Sequence, residues 1–425
     1  MTQSSQQNTP ASPFSKSAKR QQKMQAILHI AAQNFNVKGV AATTLVDITK
    51  ALNVTKASLY YYVRNKEDLT YLSYQNTLDI LHGFLASAKQ TQQTAFAIIL
   101  NFIDNYFEHC LTVEKGDAPA FAMLHEIETL KTPQKEDIKQ RYFDLQKDLT
   151  TLIEQGVENK TLSVNNPLVL AHCILTTMQW VATAMTTENI EKMQEATTTF
   201  KSILQQGIAS WSSTISQDRL PLPKHAFIDP FDKEGARNIR QNAFVNTAAK
   251  LFNQKGYKGV SLDEIAQSLE VTKGAFYYHL ETKEALLTLC FDTTLQTLNE
   301  TITLAEARGN SGLSKLMLAS TRLFAIQHAN TTSLIHHSLS KYLPKDIRDD
   351  YSKKIHHLFE RFGGFIREGL HDRSIRGIRA HTCQDILLNM ILSRESLFKD
   401  DDFNAIKDIT QKDLSFIVTG IERKS

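Results

Sequence analysis

Apolar residues recur at helical spacing near the start of the chain, and the same pattern returns midway along it. Met24, Ile27, Leu28, Ala31, Ala32 and Phe35 share one helix face; Phe244, Val245, Ala248, Ala249 and Phe252 share another. Gly39 and Gly256 then stop these helices, as a C′ glycine does. A short helix follows in each case, with Leu45, Ile48 and Leu52, or Leu262, Ile265 and Leu269, turned inward. Thr44 with Asp47, and Ser261 with Glu264, set a hydroxyl three residues before an acid at its start, and the Ser–Glu pair is the stricter capping box. After a tight turn, Thr55 and Thr272 cap a second short helix carrying Tyr60-Tyr61 and Tyr277-Tyr278.

Downstream, a helix from Lys66 to about Lys89 is expected, then others at about 92–112, 117–130, 134–159, 166–186 and 190–215. In the second half the counterparts are at about 283–307, 312–329, 331–341, 345–371, 379–398 and 404–422.

The parallel is a sequence repeat. Shifting the chain by 217 residues aligns Arg20–Leu69 with Arg237–Leu286 without a gap, with 19 identities in 50 positions. Chance does not produce this. Ile153-Glu154-Gln155-Gly156 also resembles Ile366-Arg367-Glu368-Gly369, each closing a long amphipathic helix. Between the halves, Pro221, Pro223 and Pro230 mark an extended linker. The expected division is a Ser/Gln/Pro-rich disordered tail (1–17), a helix-turn-helix domain (18–65), a helical body (66–216), the linker (217–234), a second helix-turn-helix domain (235–282) and a second body (283–425).

Composition narrows the class. With 42% hydrophobic and 22% charged residues the chain is an ordinary globular protein, and 16 Gly and 9 Pro in 425 residues leave so few breakers that an all-α fold is expected. No apolar run reaches the roughly 18 residues that span a bilayer. The N-terminus, MTQSSQQNTP, lacks the apolar stretch of a secretory signal, so a cytoplasmic protein away from membranes is expected. The four cysteines are far apart and form no Cys-x-x-Cys pair, which reads as buried reduced thiols. Charge is uneven: residues 16–66 hold nine Lys/Arg and one acid, residues 233–283 hold eight and five, and the remainder is net acidic. Positive charge is therefore concentrated on the two short-helix units, as phosphate binding requires.

Two short helices joined by a tight turn and backed by a longer one form a helix-turn-helix, whose second helix suits the major groove. Thr44–Leu69 and Ser261–Leu286, with Thr-Lys-Ala-Ser-Leu-Tyr-Tyr-Tyr and Thr-Lys-Gly-Ala-Phe-Tyr-Tyr-His, resemble the DNA-binding domain of the tetracycline-repressor (TetR/AcrR) family of bacterial regulators. That family usually carries one such unit per chain and works as a homodimer, so a tandem form is a departure. Ala57 stands where the family often has Gly, and Tyr62 where it often has His; the second repeat keeps Gly274 and His279.

Expected DNA contacts follow from position in the motif. Thr44 and Ser261 sit at helix N-termini, where backbone N–H groups meet a phosphate or the side chain simply caps. Thr55 and Thr272 do the same for the recognition helix, which Lys56 and Lys273 open. Ser58 and Ala275 lie further in, at positions of direct base readout. Tyr60, Tyr61, Tyr277 and Tyr278 are phosphate-positioning hydroxyls, or in each pair one ring packs in the core. Lys66 and Lys283 begin the next helix as backbone clamps.

The resemblance further implies a double-stranded operator as partner, a small-molecule effector pocket among the middle helices, a four-helix dimerisation bundle from the last two helices of each half, and most often a repressor that ligand relieves. Pocket candidates are Phe102, Tyr106, Cys110, Phe121, Met178 and Trp180, and Phe324, His328, His336 and Met390; such residues at helical spacing are equally at home in a core. Two assemblies stay open: an intramolecular pseudo-dimer, or a homodimer of the whole chain with four readers. A single-reader protein whose weaker-charged second repeat serves only for dimerisation is the alternative function. No Gly-rich phosphate loop, HExxH or GxSxG is present, so no enzyme or cofactor is expected. His356 and Glu360 have a chelating spacing but no third ligand, so no metal is expected either.

Overall fold

The computed structural model describes residues 16–124, 126–185, 190–210, 220–222, 233–270, 282–328, 334–392 and 410–423. Those residues are all-α apart from two isolated β-bridges. The first half comprises α1 (Lys16–Lys38), α2 (Leu45–Ala51), α3 (Lys56–Tyr60), α4 (Lys66–Thr91), α5 (Ala95–Glu114), α6 (Gln134–Glu158), α7 (Pro167–Met185) and α8 (Ile190–Gln206), with a 3₁₀ turn at Ile127–Thr129. The second comprises α9 (Lys233–Gly259), α10 (Leu262–Ser268), α11 (Lys283–Arg308), α12 (Gly312–His328), α13 (Lys345–His371), α14 (Ala380–Leu392) and α15 (Ser415–Thr419), with a 3₁₀ turn at His337–Tyr342.

The long helices form where the apolar periodicity runs. Two expected helices do not form. Among the described residues of 117–130 only the 3₁₀ turn is helical, because the backbone there bonds to side chains of other helices. Ala120 N–H donates to His29 Nδ1 at 2.7 Å, and Thr77 Oγ1 donates to the Ala122 carbonyl at 2.8 Å. Asn36, on α1, donates from Nδ2 to the Phe121 carbonyl at 3.1 Å and accepts at Oδ1 from Met123 N–H at 2.8 Å. The second half repeats the clasp. Asn253 donates to the Leu334 carbonyl and accepts from His336 N–H, both at 2.8 Å, and Ile335 N–H donates to Thr294 Oγ1 at 3.0 Å. The described part of the expected 331–341 helix is accordingly extended before its 3₁₀ turn. Each body is thus stitched to the first helix of its own helix-turn-helix.

Both expected terminal helices are shorter than the pattern suggested. α8 stops at Gln206 before Gly207, and the described part of 404–422 is helical only over α15, before Gly420.

The halves pack together through α7 and α8 against α14, and α8 against α15. Their backbones exchange hydrogen bonds in related pairs. Ser163 N–H donates to Ile421 O, and Arg376 N–H to Ile208 O, both at 2.9 Å. Arg423 N–H reaches Thr161 O at 3.2 Å, and Ser210 N–H reaches Ser374 O at 3.0 Å. Ile208 N–H donates to Ile417 O at 2.8 Å, and Ile421 N–H to Leu204 O at 2.7 Å. Within each pair, donors and acceptors are offset by 213 residues, so the halves meet as an approximate two-fold. The β-bridges Leu162–Glu422 and Ala209–Ile375 obey the same offset. His172 and Phe324 meet edge to face across the junction, with ring centroids 6.2 Å apart, inside one apolar core that runs through both halves.

The described linker residues, 220–222, meet the second body at Arg322. Leu220 is buried, and the Pro221 carbonyl accepts from Arg322 Nε at 2.7 Å. The buried Arg322 guanidinium also donates to Thr301 Oγ1 and Glu300 Oε1, each at 2.7 Å.

Candidate nucleic-acid interface

In the first half, α2 begins with a complete capping box. Thr44 accepts from Asp47 N–H at 3.2 Å, while Thr44 N–H and Oγ1 donate to Asp47 Oδ2 at 2.8 and 2.7 Å. These bonds, with Lys38 at 3.3 Å, lower the Asp47 carboxyl to about 2. In the second half Ser261 accepts from Glu264 N–H at 3.1 Å, but the Glu264 carboxylate pairs with Lys255. The Thr–Asp pair is therefore the reciprocal box, the reverse of the order expected from the residue types.

The turn after α2 passes through Asn53 in a left-handed conformation (φ 52°), matched by Glu270 (φ 55°) in the second half. Thr55 then caps α3 by accepting from Ser58 N–H at 3.2 Å. Leu59 is buried and anchors α3, so the helix turns its other faces outward. Lys56 and Ser58 are exposed, and Tyr60 and Tyr61 are 53% and 70% exposed. Neither ring packs in the core; Tyr62 is the partly buried member of the run, edge-on to Tyr61 at 5.2 Å. The Arg20 guanidinium lies 5.6 Å over the Tyr61 ring. Lys56, Ser58, Tyr60, Tyr61, Arg20 and the exposed Arg64 thus offer cations, hydroxyls and aromatic surface together.

Thr272, Lys273, Ala275, Tyr277 and Tyr278 lie outside the described residues. Lys66 and Lys283, expected as clamps on the DNA backbone, are turned inward. Lys66 Nζ donates to the Ala41 carbonyl at 3.0 Å, and Lys283 Nζ sits 4.2 Å over the Tyr257 ring. Burial lowers both ammonium pKa values, with Glu126 and Glu264 respectively opposing the shift.

Most of the pocket candidates fill the core. Phe102, Tyr106, Cys110, Phe121, Met178, Phe324 and Met390 are buried there, and the side chain of His328 lies outside the described residues. Trp180 and His336 do line a cavity of about 310 Å³ between α11, α13 and α14. Its walls include Leu298, Ile355, Leu388 and Asn389; Trp180 reaches in from the first half. Burial holds the His337 imidazole below its ordinary range and pushes the Asp385 carboxyl up, with His381 acting against the latter. A second groove, about 390 Å³, runs between α5 and α8 beside the Lys201–Asp104 ion pair. All four thiols are buried and shifted upward, Cys383 to about 12.

Sequence reasoning did not single out Arg20, Arg64, Glu126 or the Asn36 and Asn253 clasps. The asparagines carried a signal: they are identical between the repeats although packing does not require a polar residue there. Glu126 carried none, because the residue 213 positions on is the apolar Leu339.

Comparison with known proteins covers the same segments. A family described as bacterial regulatory proteins, tetR family, matches residues 27–70 and 244–290, and a tetracyclin repressor-like C-terminal domain matches 106–183. The chain is 46% identical over 61 residues to the Transposon Tn10 TetC protein of Escherichia coli, covering 14% of this chain and 31% of that protein. It is 31% identical over 80 residues to the biofilm operon icaADBC HTH-type negative transcriptional regulator IcaR of Staphylococcus aureus (strain Newman), covering 18% and 41%. The match therefore spans less than half the length of each of these relatives. Among solved structures, the ketosteroid transcriptional regulator KstR2 of Mycobacterium tuberculosis is similar at 19% identity and a TM-score of 0.37, covering 43% of this chain and 92% of that one.

Proposed function

We propose that this chain, a TetR-family protein with the family's helix-turn-helix domain present twice, is a sequence-specific transcriptional regulator that acts as a single-chain pseudo-dimer. The observation that carries the reading is the paired exchange of backbone hydrogen bonds between the halves. A single-repeat protein must find a second copy to complete such an interface. Here the second copy is already tethered.

The cationic and aromatic face of α3 supports DNA contact by the first reader through Lys56, Ser58, Tyr60 and Tyr61, with Arg20 and Arg64 on phosphate. In the second reader, Lys273, Ala275, Tyr277 and Tyr278 are the proposed counterparts. Two readers related by an approximate two-fold face successive major grooves about 34–36 Å apart. They differ in sequence: Ala57-Ser58-Leu59 stands against Gly274-Ala275-Phe276, and Tyr62 against His279. The operator is therefore an imperfect palindrome.

The regulator is a repressor relieved by an amphipathic small molecule held in the cavity of the second half. A relative described as a negative transcriptional regulator supports the sign. The cavity volume falls at the low end of small-molecule sites, and its apolar walls with a few imidazole, amide and carboxyl groups suit an apolar ligand with one polar end. A ligand that binds the released conformation more tightly draws the population away from DNA.

Binding-site selection from random duplexes with the full chain tests this. Two unlike half-sites about one helical turn apart are expected. A single half-site would mean that the second repeat only completes the fold, and no enrichment at all would overturn the reading.

A further inference from the structure

Glu126 touches both DNA-binding domains. It lies in the segment between α5 and α6, in a left-handed conformation (φ 58°) that a non-glycine residue rarely adopts. Its Oε2 accepts from Ala41 N–H at 2.8 Å, at the corner between α1 and α2. The Ala41 carbonyl is held from the other side by Lys66, so the corner of the first reader is clamped between a carboxylate and an ammonium.

The other oxygen faces both readers at once. A Cβ built on Gly39 would come 2.9 Å from Glu126 Oε1, and one built on Gly256 would come 2.8 Å from the same atom. These are equivalent glycines, Gly39 directly after α1 and Gly256 at a non-helical kink inside α9, both with positive φ (84° and 71°). A single carboxylate oxygen is thus wedged against the same corner of each reader. The adjoining 3₁₀ turn, Ile127–Thr129, packs on α9 of the second half.

At the 213-residue offset of the junction the second half has the apolar Leu339, which cannot supply a second carboxylate there. Thr44 and Ser261, which start α2 and α10, follow the two glycines by five residues. A shift of the carboxylate therefore moves the starts of both helix-turn-helix units relative to one another.

We propose that Glu126 is a positioning residue that sets the separation of the two readers and hence the half-site spacing the protein accepts. The inference rests on the DNA-reading proposal for its consequence, but its geometry is testable without DNA.

Spin labels on Lys50→Cys and Gln267→Cys, exposed equivalent positions on α2 and α10, report the separation directly; the four native thiols are buried and do not compete. The wild-type background is expected to give one narrow distance distribution. Glu126→Ala removes the wedge and Glu126→Asp withdraws it by one methylene while keeping the fold-compatible charge, and both are expected to broaden the distribution. Glu126→Gln keeps the shape and the acceptor and is expected to restore it. On duplexes carrying the two selected half-sites at a series of spacings, Glu126→Ala is expected to lose about tenfold in affinity at the preferred spacing and to flatten the dependence on spacing. Wild-type width in both Glu126→Ala and Glu126→Asp would overturn the proposal, as would an unchanged spacing preference. A wild-type chain that selects no duplex would defeat the DNA-reading proposal and leave the distance measurement to decide the role of Glu126.

Discussion

Gly207 and Gly420 occupy equivalent points of the two halves, each pressed against the end of the other half's last helix. Gly207 has φ 65° and Gly420 has φ 73°, and a Cβ on either would overlap backbone across the junction: the Val418 carbonyl for Gly207, the Gln205 carbonyl for Gly420. Only glycine satisfies both the backbone conformation and the close approach. Gly207→Ala or Gly420→Ala should each destabilise the whole chain by about 2–4 kcal/mol, combining left-handed strain with a displaced backbone. Urea unfolding with a single probe in each half measures this, and an effect confined to one half would contradict a shared core.

The assembly follows from the same junction. Light scattering at micromolar protein without DNA should give a mass near 48.1 kDa. A species of twice that mass would favour the four-reader homodimer.

Lys56→Ala with Tyr60→Ala should weaken specific DNA binding by roughly 2–4 kcal/mol if each contact is worth about 1–2. Binding should also fall steeply with salt, with a log–log slope of about −0.9 per neutralised phosphate. Wild-type affinity in the double variant, measured by titration at fixed salt, would remove α3 from the interface.

The Thr44–Asp47 box predicts a pH dependence of the first reader. The Asp47 carboxyl is lowered from 3.8 to about 2 in the folded chain, chiefly by hydrogen bonds from Thr44. A depressed carboxylate contributes stability above its unfolded value, and that contribution is lost as pH falls toward the folded value. Asp47→Asn should therefore be less stable than wild type at pH 6, and the difference should shrink between about pH 4 and pH 2. Denaturant midpoints of the two proteins across that range check it.

Arg322 should tie the linker to the second body. Its side chain is 1% exposed and bonds to the linker, to α11 and to a half-exposed carboxylate. Arg322→Ala leaves the Pro221 carbonyl and Thr301 without this donor, and should cost about 2–4 kcal/mol. Limited proteolysis should then cut the linker faster than in wild type. An unchanged cleavage rate would mean that the linker is held without Arg322.

The local plan of this protein was legible in the chain itself. Helical periodicity and the caps at Thr44, Thr55 and Ser261 depend on neighbours within a few turns, so α1 to α3, α10 and the long helices could be read directly. What lay beyond reach depends on partners far apart in sequence. Residues 117–130 look helical, yet their backbone is claimed by His29, Asn36 and Thr77, about 45 to 90 residues away. The apolar liners of the first body read equally well as pocket or core, and only packing assigned them to the core while leaving Trp180 at a cavity of the other half. Lys66 and Lys283 have the sequence of surface lysines, but the carbonyl of Ala41 and the ring of Tyr257 draw them inward. The 213-residue offset of the junction and the seat of Glu126 between Gly39 and Gly256 arise only when two halves fold against each other, because no local pattern records which carboxylate meets which corner.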